Sequence, residues 1–354
     1  MSKKKIETNF RNEKLIAERS PETELFIVLD TETTTLPRLY DCAKTPEAKK
    51  QVSIGRPLIY DIAWQVIDKD RNVYSSHSYV ITETFRQPDI MRSAYYIDKL
   101  PLYYDKLENG DIKEVLWEEC KNELIADLNM CNMNLAFNCT FDFRKAFGFT
   151  EQYMTHLRSR DYHEWYDRQV WYVSEKLLKK NNNKSNYKNP LDKATFKFYD
   201  KIYPMADLWG LACERIINIE EYKKFCLDNG FVSPSGQFFS TSAETVFAFL
   251  TKNKDYKEEH TALADVLIES EILYEILKVG NIPQGVIHFP FRLLGTTVEN
   301  IYERYMETRK VNYKHIKLVH GRLTTSLLNT TSFAYTTKLE KMLGTLDWIL
   351  SGDL

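Results

Sequence analysis

Leu25-Phe26-Ile27-Val28-Leu29-Asp30-Thr31-Glu32-Thr33-Thr34-Thr35 joins a continuous apolar run to two carboxylates spaced two residues apart. The run LFIVLD (25–30) is rich in β-branched residues and lacks polar alternation, so it predicts a strand covered on both faces. Residues two apart on a strand project from the same side, which makes Asp30 and Glu32 converge at one sheet edge, at the strand's end. Two negative charges held side by side require a compensating cation or proton, and hard carboxylate oxygens suit Mg²⁺ or Mn²⁺. Taken alone, the D-x-E step also reads as two solvated acids at a strand end.

The flanking sequence supplies the rest of the sheet. RPLIYDIAWQVID (56–68) and NVYSSHSYVIT (72–82) flank the charged turn Asp68-Lys69-Asp70-Arg71 and predict an antiparallel hairpin. Apolar residues at 116, 117, 120, 124, 125 and 128 predict an amphipathic helix over 113–128. MNLAF (133–137) predicts a short buried strand. YPMADLWGLACERI (203–216) predicts a strand passing into a helix, and EEHTALADVLIESEILYEIL (258–277) a long helix. The fold class is therefore α/β with a mixed sheet.

Around this lie a polar N-terminal arm (1–24), mobile or docked on the surface, a segment at about 150–202 that looks like an insertion, and a C-terminal extension (281–354). Within 174–201 there are eight lysines against Glu175, Asp192 and Asp200, a local +5. Over all 354 residues, 48 basic side chains oppose 50 acidic ones, for a net charge of -2, which argues against binding nucleic acid through bulk positive charge. The six cysteines show no C-x-x-C pair and read as reduced thiols. With no signal-peptide pattern and no membrane-length apolar run, the expected location is cytoplasmic, without a membrane partner.

Two further motifs carry chemistry. NLAFNCTFDFRKAF places Asn138, Phe141 and Asp142 just after a buried strand, where Asp142 reads equally as a helix cap and as a metal ligand. EEHTALADVLIE holds His260 and Asp265. On an ideal helix these two would diverge by about 140°, so they converge better if His260 sits on the turn leading into the helix. A histidine alone is ordinarily a hydrogen-bonded structural residue. Together, the D-x-E, F-D and H-x-x-x-x-D steps all fall at predicted strand or helix ends, where open α/β sheets form their sites.

In this order the motifs resemble those of the DEDDh 3′-5′ exonucleases, a family with a ribonuclease H-like fold that includes the polymerase III epsilon proofreading subunit, ribonuclease T and oligoribonuclease. The matching runs are Leu29-Asp30-Thr31-Glu32-Thr33, Asn138-Cys139-Thr140-Phe141-Asp142 and His260-Thr261-Ala262-Leu263-Ala264-Asp265, and the likeness covers roughly 25–280. Asp207 matches a fifth-strand position loosely. Within 25–280, the spans around IYDIAWQVID and FVSPSGQFFSTSAETVFAFL look most similar to members carried by phages and their bacterial hosts, which implies a bacterial cell or a phage-infected host as the setting.

The resemblance implies a mixed five-stranded sheet, with three antiparallel strands and then parallel ones, flanked by helices. It implies an exonuclease that hydrolyses single-stranded DNA from the 3′ end to nucleoside 5′-monophosphates, in DNA replication or repair. Two Mg²⁺, for which Mn²⁺ can substitute, would be held by Asp30, Glu32, Asp142 and Asp265, with His260 as general base. RNA is the alternative substrate, and an inactive exonuclease-fold binding or scaffold module is the alternative of another class.

Candidate substrate contacts are Thr33, Thr35, Leu36, Asn138, Phe141, Lys179, Lys180 and Lys184, although Leu36 reads more readily as a buried leucine and Asn138 also as a support for its loop. Thr35 stands where most of the family has glycine, a change that narrows or reshapes the pocket for the terminal base. The lysines and aromatics of 150–202 read equally as a strand-binding wall and as a lysine face over a satellite core. VENIYERYM (298–306) presents an apolar face through which the extension could dock a polymerase or a second copy.

Overall fold

The computed structural model describes residues 7–172, 191–192 and 194–351. Its strands are β1 (Phe10–Arg11), β2 (Phe26–Thr34), β3 (Leu58–Ile67), β4 (Val73–Ile81), β5 (Lys113–Val115), β6 (Met133–Ala136), β7 (Leu191–Asp192), β8 (Thr195–Phe198) and β9 (Lys201–Asp207). Eight strands form one sheet in the order β1-β4-β3-β2-β6-β9-β8, with β5 added alongside β4, while β7 lies off it. Antiparallel pairing joins β2 to β3 and β3 to β4; parallel pairing joins β2 to β6 and β6 to β9. The central five strands, β4-β3-β2-β6-β9, are thus the expected mixed sheet. The α/β fold, an open sheet flanked by helices, is compatible with a ribonuclease H-like architecture.

The sheet is wider than expected because short segments at both edges pair as well. Lys113-Glu114-Val115 runs parallel to Tyr79-Val80-Ile81. The helix predicted from 113 therefore begins only at Trp117, whose N–H is accepted by the Glu83 carboxylate at 3.0 Å. The N-terminal arm is docked: β1 pairs with β4, and Arg11 reaches the buried Asp127 at 3.2 Å. β3 is buried at every position, as a strand covered on both faces must be.

The described parts of 150–202, residues 150–172, 191–192 and 194–202, are not detached from the fold. Trp165 and Tyr153 pack with Leu36, Leu39 and Leu58 in one apolar cluster, while Phe196 and Phe198 enter the main core beside Phe143 and Phe147. These four aromatics belong to the core and not to a stacking platform: β8 carries Phe196 and Phe198 onto the sheet edge, and helices carry Tyr153 and Trp165.

The chain divides differently from the expected 25–280 and 281–354. Met1–Leu208 with Glu258–Val286 forms one compact unit, and Trp209–Lys257 with Ile287–Leu354 forms another. The C-terminal part is thus one half of a unit whose other half is inserted between β9 and the helix Ala262–Leu277. Local pairing ties the halves of this second unit: Thr297 Oγ1 donates to Gly236 O at 2.5 Å, and His315 Nε2 meets Asp228 Oδ1 at 2.6 Å. Gly236 has φ +76, and a Cβ there would lie 2.7 Å from the Arg322 Cβ, so the turn needs glycine. Val298, Ile301 and Tyr305 are buried, with Tyr305 edge-on to Trp348, so the apolar face of 298–306 is used inside this unit. Among the described residues, no helix is long and apolar enough to cross a membrane.

Candidate active site

Asp30 and Glu32 lie inside β2 and not at its end, because β3 keeps pairing with it as far as Leu58. The register slips between Glu32 and Thr33. Such irregularities re-aim side chains beside functional sites. The carboxylate oxygens of Asp30, Glu32 and Asp265 lie within 4.8 Å of one another. Asp142 joins them through Thr31, whose Oγ1 donates to Asp142 Oδ1 at 2.6 Å. Asp142 sits in a π-helical turn, Thr140–Ala146, entered through Asn138 at φ +73. Asp207 anchors that entrance, its Oδ1 accepting the N–H groups of Asn138 at 3.0 Å and Cys139 at 3.3 Å. The loosely matched Asp207 therefore supports the loop that presents Asp142.

Asp265 stands in the first turn of the helix Ala262–Leu277, and His260 precedes that helix, at φ +59. A left-handed histidine is uncommon and is held by its surroundings. The helix's N-cap residue, Thr261, makes no side-chain cap bond. Asp61 of β3 supplies the cap from across the fold: its Oδ2 accepts the Ala262 N–H at 2.8 Å and the Tyr103 O–H at 2.6 Å. Because both donors are left buried without it, Asp61→Ala should destabilise the protein by about 2–4 kcal/mol in urea melts. Asp61→Asn, which keeps an acceptor, should cost clearly less. An alanine variant as stable as the parent would remove this role from Asp61.

One helical turn beyond Asp265, the buried Glu269 accepts the Phe137 N–H through Oε2 at 3.3 Å. Glu258 lies beside His260, its Oε2 3.4 Å from the imidazole Nδ1. Burial is the first cause that raises the acids. Asp142 is pushed up to about 7 and Asp61 to about 6, in both cases against hydrogen bonds that favour the charged form. Burial and then the Asp142 charge hold Asp30 well above the ordinary carboxylate range. Burial and then the Asp30 charge do the same to Glu32, Asp265 and Glu269.

This donor set fits hard divalent cations. The acids crowd one another without enough positive charge to offset them, and the buried Asp265 Oδ1 has no hydrogen-bond partner. A cation would satisfy both conditions.

Of the residues expected to touch substrate, only some are open to it. Asn138 is exposed, and Thr33 and Phe141 are half-buried. Thr35 and Leu36 are fully buried. Thr35 Oγ1 donates to Arg56 O at 2.8 Å, and Leu36 packs with Leu39, Val52 and Leu58, so neither faces a terminal base. The residue standing where the family has glycine is thus used to tie segments together. Lys179, Lys180 and Lys184 lie outside the described residues.

Asp61, Glu258 and Glu269 were absent from the sequence-based site. Each left a trace: an acid in the middle of an apolar strand (Tyr60-Asp61-Ile62), a doubled glutamate before His260, and an acid four residues after Asp265 on the same helix face. No family model, no curated protein and no solved structure matches the chain. The site itself therefore carries the functional argument.

Proposed function

We propose that the protein is a metal-dependent 3′-5′ exonuclease acting on single-stranded DNA. The observation that carries this reading is the convergence of Asp30, Glu32 and Asp265 within 4.8 Å, with Asp142 hydrogen-bonded to the residue between the first two. Asp30, Glu32, Asp142 and Asp265 would hold two Mg²⁺ or Mn²⁺. When bound, such ions supply a water acidic enough to ionise near neutral pH and neutralise charge on the phosphate.

The chain's own residues do the remaining work. Asp61 and the Ala262 N–H hold the helix that presents Asp265. Thr31 orients Asp142. His260, with Nδ1 turned to Glu258, takes the proton of the attacking water at Nε2. In-line displacement at the terminal phosphodiester would release a nucleoside 5′-monophosphate.

The test is digestion of 3′- and 5′-labelled DNA and RNA strands with Mg²⁺ or with chelator. Stepwise loss of the 3′ label that stops with chelator is expected, and DNA should be preferred. No digestion of either nucleic acid with Mg²⁺ would leave the scaffold reading instead. His260→Ala should lower kcat by roughly 10²–10⁴-fold with little change in metal half-saturation, since general-base catalysis is worth that much. Equal loss of rate and metal affinity would make His260 a ligand.

A further inference from the structure

Tyr96 lies face to face with His260, with ring centroids 4.3 Å apart and planes inclined by 10°. It comes from a segment that no motif identified, and that segment is tied to the strand bearing Asp30 and Glu32. Thr34 Oγ1 donates to Ile90 O at 2.6 Å, and Ser93 Oγ donates to Thr35 O at 2.8 Å and meets Thr34 Oγ1 at 2.9 Å. The Tyr95 N–H points at Thr33 O at 3.5 Å. Tyr96 is therefore built onto the end of β2, three residues after Ser93, and its ring meets the histidine. Its chain neighbour Tyr95 packs edge-on against it, with centroids 4.8 Å apart and planes at 89°.

We infer that Tyr96 is a positioning residue for the general base: it holds the His260 imidazole by stacking on its face, while Glu258 meets the Nδ1 edge. This inference rests on the exonuclease reading above. Two restraints at right angles are what the ring requires. A carboxylate at Nδ1 restrains the imidazole within its plane, and a flat partner on its face restrains its tilt. His260 needs them because its backbone, left-handed and ahead of the first helical turn, offers no helix ladder to hold the side chain. Stacking is a property of the ring and not of the hydroxyl, which separates this role from a contact made by the Tyr96 oxygen to the neighbouring acids.

The experiment compares Tyr96→Phe and Tyr96→Ala in the full chain. Steady-state digestion of a 3′-labelled DNA strand is read together with the melting shift produced by Mg²⁺ or Mn²⁺ alone. Tyr96→Phe should keep kcat within about 3-fold. Tyr96→Ala should lose kcat by roughly 10–100-fold, as expected for a displaced catalytic group, with KM and the metal-induced melting shift little changed. The double variant Tyr96→Ala/His260→Ala should be no slower than His260→Ala alone, because the two act through one ring.

Several outcomes overturn the inference. Tyr96→Phe as impaired as Tyr96→Ala would assign the effect to the hydroxyl. A reduced metal-induced shift in Tyr96→Ala would make the tyrosine part of the metal site's scaffold, and unchanged kcat would remove it from catalysis. An inactive parent protein that still shows the metal-induced shift would instead defeat the exonuclease reading.

Discussion

Asp30→Asn should abolish Mg²⁺-dependent release of nucleotides, by roughly 10³-fold or more, the factor that corresponds to about 4 kcal/mol of lost transition-state stabilisation at a metal site. Asp30 sits where the charges of Asp142, Glu258 and Asp61 all act on it, so no neighbouring acid replaces what it supplies. The same substitution removes one negative charge from a crowded, buried group. In chelator, Asp30→Asn should therefore melt at a higher temperature than the parent, opposite to the usual effect of a buried polar substitution. Asp142→Asn should be equally inactive, but its gain in stability should be smaller, since the Thr31 hydroxyl already favours the charged form of Asp142. A variant at either position with near-normal digestion would dissolve the site assignment. A lower melting temperature of Asp30→Asn in chelator would show that the acids are not in conflict when metal-free.

Without metal, stability should fall as pH rises from about 4 to 7. The sign follows from proton uptake. Ordinary carboxylates in the unfolded chain release their protons near pH 4, whereas Asp61 holds its proton to about 6 and Asp142 to about 7, with Asp30, Glu32, Asp265 and Glu269 also raised. Between the unfolded and folded values, the native state binds more protons than the unfolded one, so each added pH unit costs stability. Above the folded values the cost is complete.

Divalent metal should reverse this trend. A ligand at about 100 times its Kd adds about 2.7 kcal/mol, and protons compete for the same oxygens, so the Mg²⁺-induced rise in melting temperature should be large at pH 7.5 and small at pH 5. Melts in chelator and in Mg²⁺ across that range read both effects. A chelator series in which stability climbs with pH, or a metal-induced shift independent of pH, would contradict the site's electrostatics. The comparison with Asp30→Asn separates the centre from the rest of the chain's titration, because that variant should show a shallower slope.

How much of this was legible in the sequence depended on how far apart the interacting residues lie along the chain. The hairpin, β2, β6 and the helix holding Asp265 were readable because period-two and helical patterns are local properties. His260 preceding its helix followed from the angular spacing of His260 and Asp265. The start of the helix at Trp117 was not readable, because residues 113–115 reach a strand edge that only the folded chain presents. Thr35 and Leu36 follow the acidic motif and so looked like pocket residues. Their burial results from segments around Arg56, Ser93 and Val52 closing over them.

The sequence by itself determined the α/β class, the hairpin and the D-x-E pair of Asp30 and Glu32, since these follow from composition and short-range spacing, while the candidacy of Asp142 and Asp265 came from a resemblance in motif order. Only the tertiary structure decided which acids meet. Asp61 lies about 200 residues from the helix it caps, with |i−j| of 201 to Ala262, and Tyr96 reaches His260 from a segment without any motif. It also decided that residues 209–257 leave the sheet to join the C-terminal helices. The physical reason is the same in each case: burial and charge act between groups brought together by packing, and no local pattern records which distant donor, ring or carboxylate will be the neighbour.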